Sequence, residues 1–215
     1  MRRGIRAGLP LALPTLVIGI SFGVLAAPIM GNVAAIVMSG VVFAGSAQFA
    51  AISVLGAGGT AAAAAAAGLL LNARFLPMSI AAAPATRGGR LRRALEGQTI
   101  VDASWALAAD ADGHFDRQIL IGGALPQFSA WFAGTAIGVL AGSTLGDPQA
   151  LGLDAMFPAF YLSLLVGELR SGDARIAAGL AAAIALILVP FVPPGVPVLA
   201  AGLAALTGIL RRGRS

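Results

Sequence analysis

Cysteine and lysine are both absent from this 215-residue chain, and histidine occurs once, at position 114. Without cysteine the chain can form no disulfide, thiolate metal site or cysteine nucleophile. Without lysine it has neither a P-loop lysine nor a Schiff-base lysine, so we predict that it does not hydrolyse ATP. A single histidine excludes a cluster of histidine ligands. We expect no metal and no cofactor.

Charge is also scarce, since 11% of the residues are charged while 58% are hydrophobic and the mean hydropathy is +0.90. A soluble domain is nearer one quarter charged. The composition therefore predicts an all-α, polytopic membrane protein, with residues 1–215 forming a single integral membrane domain. Six or seven apolar segments are predicted, at residues 11–30, 33–55, 61–83, 119–140, 151–166, 175–191 and 196–210.

The basic residues lie in short groups between the apolar segments, which is typical of cytoplasmic loops and helix ends at a bilayer rather than of nucleic-acid binding. If all the groups are cytoplasmic, an even number of crossings must separate each pair. Three apolar segments precede the second group, so either the second segment returns to its own side or the second group is external. We favour the first alternative. The groups are Arg2, Arg3 and Arg6; Arg87, Arg90, Arg92 and Arg93; Arg170 and Arg175; and Arg211, Arg212 and Arg214.

Polar residues interrupt the second and third apolar segments. Gly45, Ser46 and Gln48 lie within the second, and Asn72 and Arg74 within the third. An arginine at the centre of a membrane helix costs about 2.5–3.5 kcal/mol, so such groups usually bind or conduct something polar. We predict a discontinuous second helix whose broken ends face a substrate. The alternative is a continuous helix in which Gln48 bonds to a neighbour.

Further candidate residues lie in the second half of the chain. Residues 98–109 are half polar and predict a short helix that carries Asp102 and Trp105, and Asp154 opens the fifth segment. Each candidate also has a structural interpretation. Arg74 would then pair with a buried carboxylate, Asp154 would cap the fifth helix, and Trp105 would anchor the chain at the membrane interface.

Glycines at four-residue spacing predict close helix packing in two places, at Gly19 and Gly23 and at Gly134, Gly138 and Gly142. We expect one of these faces to hold a second subunit. Two short sequences also recur. Ala-Leu-Pro followed by Gly-Val-Leu-Ala occurs from residue 12 and again from residue 124, which is consistent with duplicated halves at about residues 8–97 and 98–212 or with chance in so apolar a sequence.

Four short motifs follow one another along the chain. They are Phe-Ala-Gly-Ser-Ala-Gln-Phe at 43–49, Asn-Ala-Arg at 72–74, Val-Asp-Ala-Ser-Trp-Ala-Leu at 101–107 and Leu-Gly-Leu-Asp at 151–154. In this order they resemble the AzlC-type large subunit of branched-chain amino acid exporters, and the resemblance covers about residues 10 to 205. It implies a multi-pass transport domain in a bacterial inner membrane that exports leucine, isoleucine and valine, driven by the proton gradient, together with an AzlD-type small hydrophobic second subunit. One difference is that Ala103 follows Asp102 where the family usually has glutamate, which puts coupling or specificity in question.

Such a substrate carries a carboxylate, an ammonium group and an apolar side chain. Arg74 and the amides after Gly45 would bind the first group, Asp102, Asp154 or Gln48 the second, and aromatic side chains the third. The predicted site is therefore Gly45, Ser46, Gln48, Asn72, Arg74, Asp102, Trp105 and Asp154.

Three alternatives remain at this stage. One is an uptake permease or pore for another small amphiphile, and another is a membrane scaffold that transports nothing. The third is an intramembrane hydrolase that uses Ser46. Its weakness is that His114, the sole histidine base, lies in a charged loop. We expect that the protein is not an enzyme.

Overall fold

The structure is a computed structural model that describes residues 1–110, 113–142 and 172–192, with isolated positions between 144 and 201. Its chain forms two compact units. The first contains Met1–Gln48 and Asn72–Asp154, and the second contains Phe49–Leu71 and Ala155–Ser215. The fifth and seventh predicted segments lie outside the described residues. The prediction of one transport domain with two repeat halves stays a prediction.

The described residues are mostly helical, with one isolated β-bridge between Ala109 and Phe115. A short 3-10 helix, Ala83–Ala85, follows the fifth α-helix. This architecture confirms the all-α prediction. Within the described residues the α-helices are α1 (Arg2–Met30), α2 (Asn32–Val41), α3 (Gly45–Gly56), α4 (Ala61–Asn72), α5 (Phe75–Ala82), α6 (Arg90–Gly97), α7 (Asp102–Ala108), α8 (Arg117–Ala141) and α9 (Gly172–Leu188).

Two of these helices, α1 and α8, are long and apolar enough to span a membrane. A third span results if α4 and the helical stretch Phe75–Ala85 count as one, bent by 42°. The break between them falls at Ala73 and Arg74, where the sequence predicted an interruption. The count of six or seven segments stays a prediction, since part of the chain lies outside the described residues.

Helices α1 and α8 pack backbone against backbone. A Cβ atom built on Gly19 would lie 2.7 Å from the carbonyl oxygen of Trp131, and one on Gly122 would lie 2.7 Å from that of Met1. Both distances are shorter than van der Waals contact permits, so only glycine allows this approach. The facing glycines are Gly4, Gly8, Gly19 and Gly23 on α1 and Gly122, Gly123, Gly134 and Gly138 on α8.

This α1–α8 interface corrects the interpretation of the glycine faces. The prediction of close packing is confirmed, but Gly19 and Gly23 face Gly134 and Gly138 of the same chain. Because each face already contacts the other, a second subunit would have to bind elsewhere, and the expectation of such a subunit stays a prediction. The four-residue spacing of glycines predicts that another helix packs closely, but it does not identify that helix.

The two helices run parallel, because residue numbers rise together along the interface from Gly4 beside Gly122 to Gly23 beside Gly138. Their N-terminal ends meet where the Met1 ammonium group donates to Oε1 of Gln118 over 2.9 Å. Asp116 caps α8 at this end, its Oδ1 accepting from the backbone N–H of Gln118 at 2.7 Å. The N-terminal ends of α1 and α8 therefore lie side by side.

Helix α6 is tied to the same end. Glu96 of α6 is buried and accepts two hydrogen bonds from the guanidinium of Arg117, with Nε to Oε2 at 3.0 Å. Arg2, Arg3 and Arg6 thus lie at the same end of the α1–α8 pair as the arginines of α6. If α1 crosses a membrane once, the chain must return before α6, so an even number of crossings separates the two arginine groups.

The second apolar segment is the one whose path fits such a return. Its α2 lies along α8 in the opposite direction, with Ser39 at Thr135 and Phe43 at Phe128. Residues 42–44 are non-helical, and α3 begins at Gly45. Gln48 Nε2 nevertheless donates to Ser39 Oγ over 3.1 Å. In a continuous helix residues nine apart are separated by about 13.5 Å, too far for this bond. The chain therefore changes direction beside the middle of α8, and the continuous-helix alternative is wrong.

Candidate functional site

Arg74 lies at the centre of a polar cluster. It occupies the break between α4 and α5, and its Nη2 donates to Oδ2 of Asp102 at 2.8 Å and to Oγ of Ser46 at 2.7 Å. Its guanidinium also lies 5.1 Å from the centre of the Phe75 ring. Two of its partners are 28 residues away in the sequence, one on each side. The structure thus unites three of the predicted site residues.

Local backbone structure explains why these groups meet. Ser46 is in the first turn of α3, and the first N–H groups of a helix have no partner within the helix. Asp102 is the first residue of α7, which confirms the short helix predicted in residues 98–109. Ser104 closes this turn by accepting from the Val101 N–H at 3.1 Å. A carboxylate at a helix N-terminus is stabilised by the helix dipole.

The ion pair of Arg74 and Asp102 remains accessible. The side chain of Arg74 is 32% exposed and that of Asp102 is 37% exposed. The structural interpretation of Arg74 as the partner of a carboxylate therefore holds geometrically, although the carboxylate is only partly buried. The accessibility leaves room for a ligand to reach both charges.

A second set of polar groups extends from the break towards α8. Gln48 bonds to Ser39, and Ser39 Oγ lies 2.9 Å from Oγ1 of Thr135. All three side chains are fully buried. Oε1 of Gln48 is also buried and has no hydrogen-bond partner among the described residues. A buried carbonyl oxygen of this kind is an acceptor available to a ligand.

Two members of this network escaped the sequence prediction. Ser39 is a small polar residue in the same apolar segment as Gly45 and Ser46, so its position carried a signal. Thr135 carried none, because it lies between glycines that were assigned to packing alone. Its hydroxyl faces α2 while Gly134 and Gly138 beside it face α1.

A cavity of about 290 Å³ lies beside the cluster. Its walls include the neighbours of all three clustered residues, namely Phe75 next to Arg74, Ala44 near Ser46, and Val101 next to Asp102. Asn72 also lines it, and the Oδ1 of Asn72 is a buried oxygen without a hydrogen-bond partner in the described part of the chain. The other lining residues are mostly apolar: Val41, Val42, Phe43, Ser79, Gly97, Gln98 and Ile100.

A more apolar cavity of about 230 Å³ adjoins the same break. Phe43 and Val41 line both cavities, and Phe43 packs edge-on against Phe128 with ring centres 5.4 Å apart. Gln98 lines both cavities as well. The non-helical residues 42–44 therefore lie between a cavity to which Asn72 adds a second amide group and one whose other walls are mostly apolar.

The remaining predicted site residues lie elsewhere. The indole N–H of Trp105 donates to the carbonyl of Met78 at 3.2 Å, and its ring lies 5.1 Å from that of Phe115. It packs in an apolar cluster that includes Ile100 and Leu120. Its predicted part in substrate binding stays a prediction. Asp154 lies outside the described residues.

Comparison with known proteins agrees with this arrangement. Residues 10–145 match the AzlC protein family. The chain belongs to this family. The matched range spans most of α1, all of α2 to α8 and each site residue except Asp154, so the polar cluster lies within the family's own sequence. Membership confirms the resemblance inferred from the motifs and indicates a role related to membrane transport.

One relative matches nearly end to end. An uncharacterised membrane protein of Archaeoglobus fulgidus is 30% identical over 212 residues, which cover 94% of this chain and 91% of the relative. No solved structure matches the chain significantly. The relative supports a membrane location in general and names no substrate.

Proposed function

We propose that this protein exports branched-chain amino acids, or similar small apolar amino acids, across the plasma membrane. The observation that carries the proposal is the position of Arg74. Its guanidinium sits at a helix break, contacts both Asp102 and the first turn of α3, and adjoins a cavity of about 290 Å³. Broken helices around a central site are the usual construction of secondary transporters.

The ion pair matches a zwitterion. An amino acid carries a carboxylate and an ammonium group, so a substrate entering between Arg74 and Asp102 gives each side chain a new partner of opposite charge. Arginine offers a planar pair of donors that fits a carboxylate. The unpaired N–H groups at the start of α3 add positive potential beside Ser46. The buried oxygen of Asn72 is a second acceptor for the ammonium group.

The cavity walls combine polar and apolar groups. Phe43, Phe75 and Ile100 line it together with Asn72 and Gln98, so an apolar side chain and the charged groups of an amino acid would both find contacts there. Its volume is at the lower limit of ordinary small-molecule pockets, about 300 Å³, which suits an amino acid better than a larger amphiphile.

Coupling and partnership complete the proposal. Asp102 is the carboxylate of the cluster, so a coupling proton would bind there and release Arg74 from its ion pair. We also propose a small hydrophobic second subunit. Since the α1–α8 interface is internal, this subunit must bind elsewhere, for example along the exposed apolar side chains of α2 at Val33, Val37 and Val41.

Leucine efflux tests the proposal. Vesicles that contain the purified chain, with any small membrane protein encoded beside it, are loaded with labelled leucine, and efflux is normalised to folded protein. We expect Arg74→Lys to fold but to export at least tenfold more slowly, because lysine keeps the charge and loses the paired donors. Arg74→Ala should export none.

Arg175→Ala is the matched control, since Arg175 is an exposed arginine that contacts only the carbonyl of Leu169 among the described residues. It should export at the rate of the unmodified protein. Normal leucine efflux from a well-folded Arg74→Ala protein would contradict the proposed role of Arg74. Absence of leucine binding and efflux in the unmodified protein would contradict the proposed substrate.

A further inference from the structure

Helix α6 has surface features that the transport site does not explain. It is eight residues long and lies at the end of the α1–α8 pair where α8 begins. Leu91 is 76% exposed and Leu95 is 64% exposed. Two large apolar side chains at this spacing form a continuous apolar face on a helix that also carries Arg90, Arg92 and Arg93.

The helix has three distinct faces. At about 100° per residue, Leu91 and Leu95 point about 150° away from the mean direction of Arg90 and Arg93. Glu96 lies between these two directions on the remaining side and is buried against Arg117. The protein therefore holds one face, while the apolar and basic faces both remain free. This is the arrangement of a helix that lies in the plane of a bilayer surface.

The charges of this region do not cancel. The carboxylate of Glu96 accepts hydrogen bonds from the guanidinium of Arg117, from Nε of Arg92 at 3.1 Å and from the backbone N–H of Arg87 at 3.1 Å. Within the described residues Arg87, Arg90 and Arg93 form no ion pair, and Arg93 makes its side-chain bond to the hydroxyl of Thr86. Three guanidinium groups therefore remain available to an anion beside the exposed leucines.

We propose that α6 is a binding site for anionic phospholipid, with Arg87, Arg90 and Arg93 contacting the phosphate headgroup and Leu91 and Leu95 entering the acyl chains. Charge complementarity selects this occupant, because the leucines require hydrocarbon immediately beside a cationic face. A cavity of about 520 Å³ is lined by Arg87, His114 and Arg117. No residue of α6 lines it, but Arg117 is the partner of Glu96 in α6, so the cavity offers space for a headgroup near the basic face. Asp116 also lines it, but its carboxylate is engaged in capping α8.

Lipid titration with native mass spectrometry tests the site. The purified full chain in mild detergent is titrated with phosphatidylglycerol and with phosphatidylcholine of identical acyl chains. We expect tighter binding of phosphatidylglycerol. Each arginine that contacts the headgroup contributes about fivefold to anionic-lipid affinity, so Arg90→Gln with Arg93→Gln should weaken phosphatidylglycerol binding about 30-fold and leave phosphatidylcholine binding unchanged. Leu91→Ser with Leu95→Ser should weaken both lipids.

The double variant Arg2→Gln with Arg3→Gln is the matched control, because it removes two charges from the same end of the protein. It should bind phosphatidylglycerol within about twofold of the unmodified chain. An equal loss in both double variants would show that only the total charge matters and would overturn the α6 site. Equal binding of the two lipids by the unmodified chain would overturn it as well. If the double variant does not fold, Arg90→Gln alone should still show the fivefold loss.

Discussion

The α1–α8 interface and the polar cluster around Arg74 differ in almost every physical respect. The interface brings two backbones together, and added Cβ atoms on its glycines would meet carbonyl oxygens of the facing helix. The cluster instead joins side chains from segments that are broken or just beginning, and its ion pair is about one third exposed. It also adjoins cavities and contains buried oxygens without partners in the described residues.

The α1–α8 interface therefore stabilises the fold, while the cluster around Arg74 is the region available for ligand binding. Backbone packing at α1 and α8 has no spare volume, so it fixes the two helices in place. On one side of the break at residues 42–44, Ser39 and Phe43 contact α8 of this fixed pair. On its other side, Ser46 binds Arg74. A rigid support beside an incompletely satisfied polar site is the arrangement that ligand binding requires.

The largest effect should come from adding a methyl group to the interface. Gly19→Ala would place its Cβ about 2.7 Å from the Trp131 carbonyl oxygen, and the neighbours of Gly19 there are backbone atoms that cannot turn aside. We expect a loss of about 3 kcal/mol or more in the free energy of unfolding, since overpacking of rigid contacts is costly. Thermal unfolding in mild detergent, followed by circular dichroism, measures it.

Gly179→Ala is the control for this substitution. Gly179 lies in α9, and a Cβ built on it meets nothing within 4 Å. Alanine favours helix over glycine by about 1 kcal/mol, so the variant should be as stable as the unmodified chain or slightly more so. Equal effects at Gly19 and Gly179 would mean that the close contact does not determine stability.

An intermediate effect is expected at the junction of the two regions. Ser39→Ala removes the acceptor of Gln48 and the partner of Thr135, and leaves two fully buried polar groups unpaired. Unpaired buried groups cost about 1–3 kcal/mol. Ser53→Ala is the comparison, because Ser53 bonds to the carbonyl of Phe49 in its own helix. The same loss in both serine variants would argue against a network that anchors the break.

Local features of this molecule were predictable from the sequence. Small and polar residues inside an apolar segment indicated the break before Gly45. Asn72 and Arg74 in the same way indicated the break between α4 and α5. Both predictions depend on the cost of burying polar groups, which is a property of a residue and its immediate neighbours. The short helix that starts at Asp102 followed from its local composition in the same way.

Pairings between distant segments were not predictable. Arg74 had several candidate carboxylates, and its choice of Asp102 follows from how α5 and α7 meet in the fold. The glycine spacing predicted close contact between helices. It did not predict that α1 and α8 pack in parallel, because these segments are more than 100 residues apart in the sequence. Thr135 illustrates the limit, because its bond to Ser39 exists only after two helices have been placed.

An effect that depends on pH concerns the end of α8, where the ion pair of Arg117 and Glu96 joins α8 to α6. Hydrogen bonds from Arg117, and then from the Arg87 backbone and Arg92, lower the pKa of Glu96 from 4.5 to about 2. A lowered pKa means that the carboxylate stabilises the folded state fully above about pH 4.5, and that this stabilisation disappears as the pH falls through about 2. We therefore expect Glu96→Gln to melt below the unmodified protein by a constant margin from pH 5 to 8. The margin should close steadily between pH 4.5 and 2, since the protonated glutamic acid then resembles glutamine. Melting curves of both proteins across this range supply the measurement. A margin that persists unchanged at pH 2 would show that Glu96 acts through its shape, and that the charge of the Arg117 pair contributes nothing to holding α6 on α8.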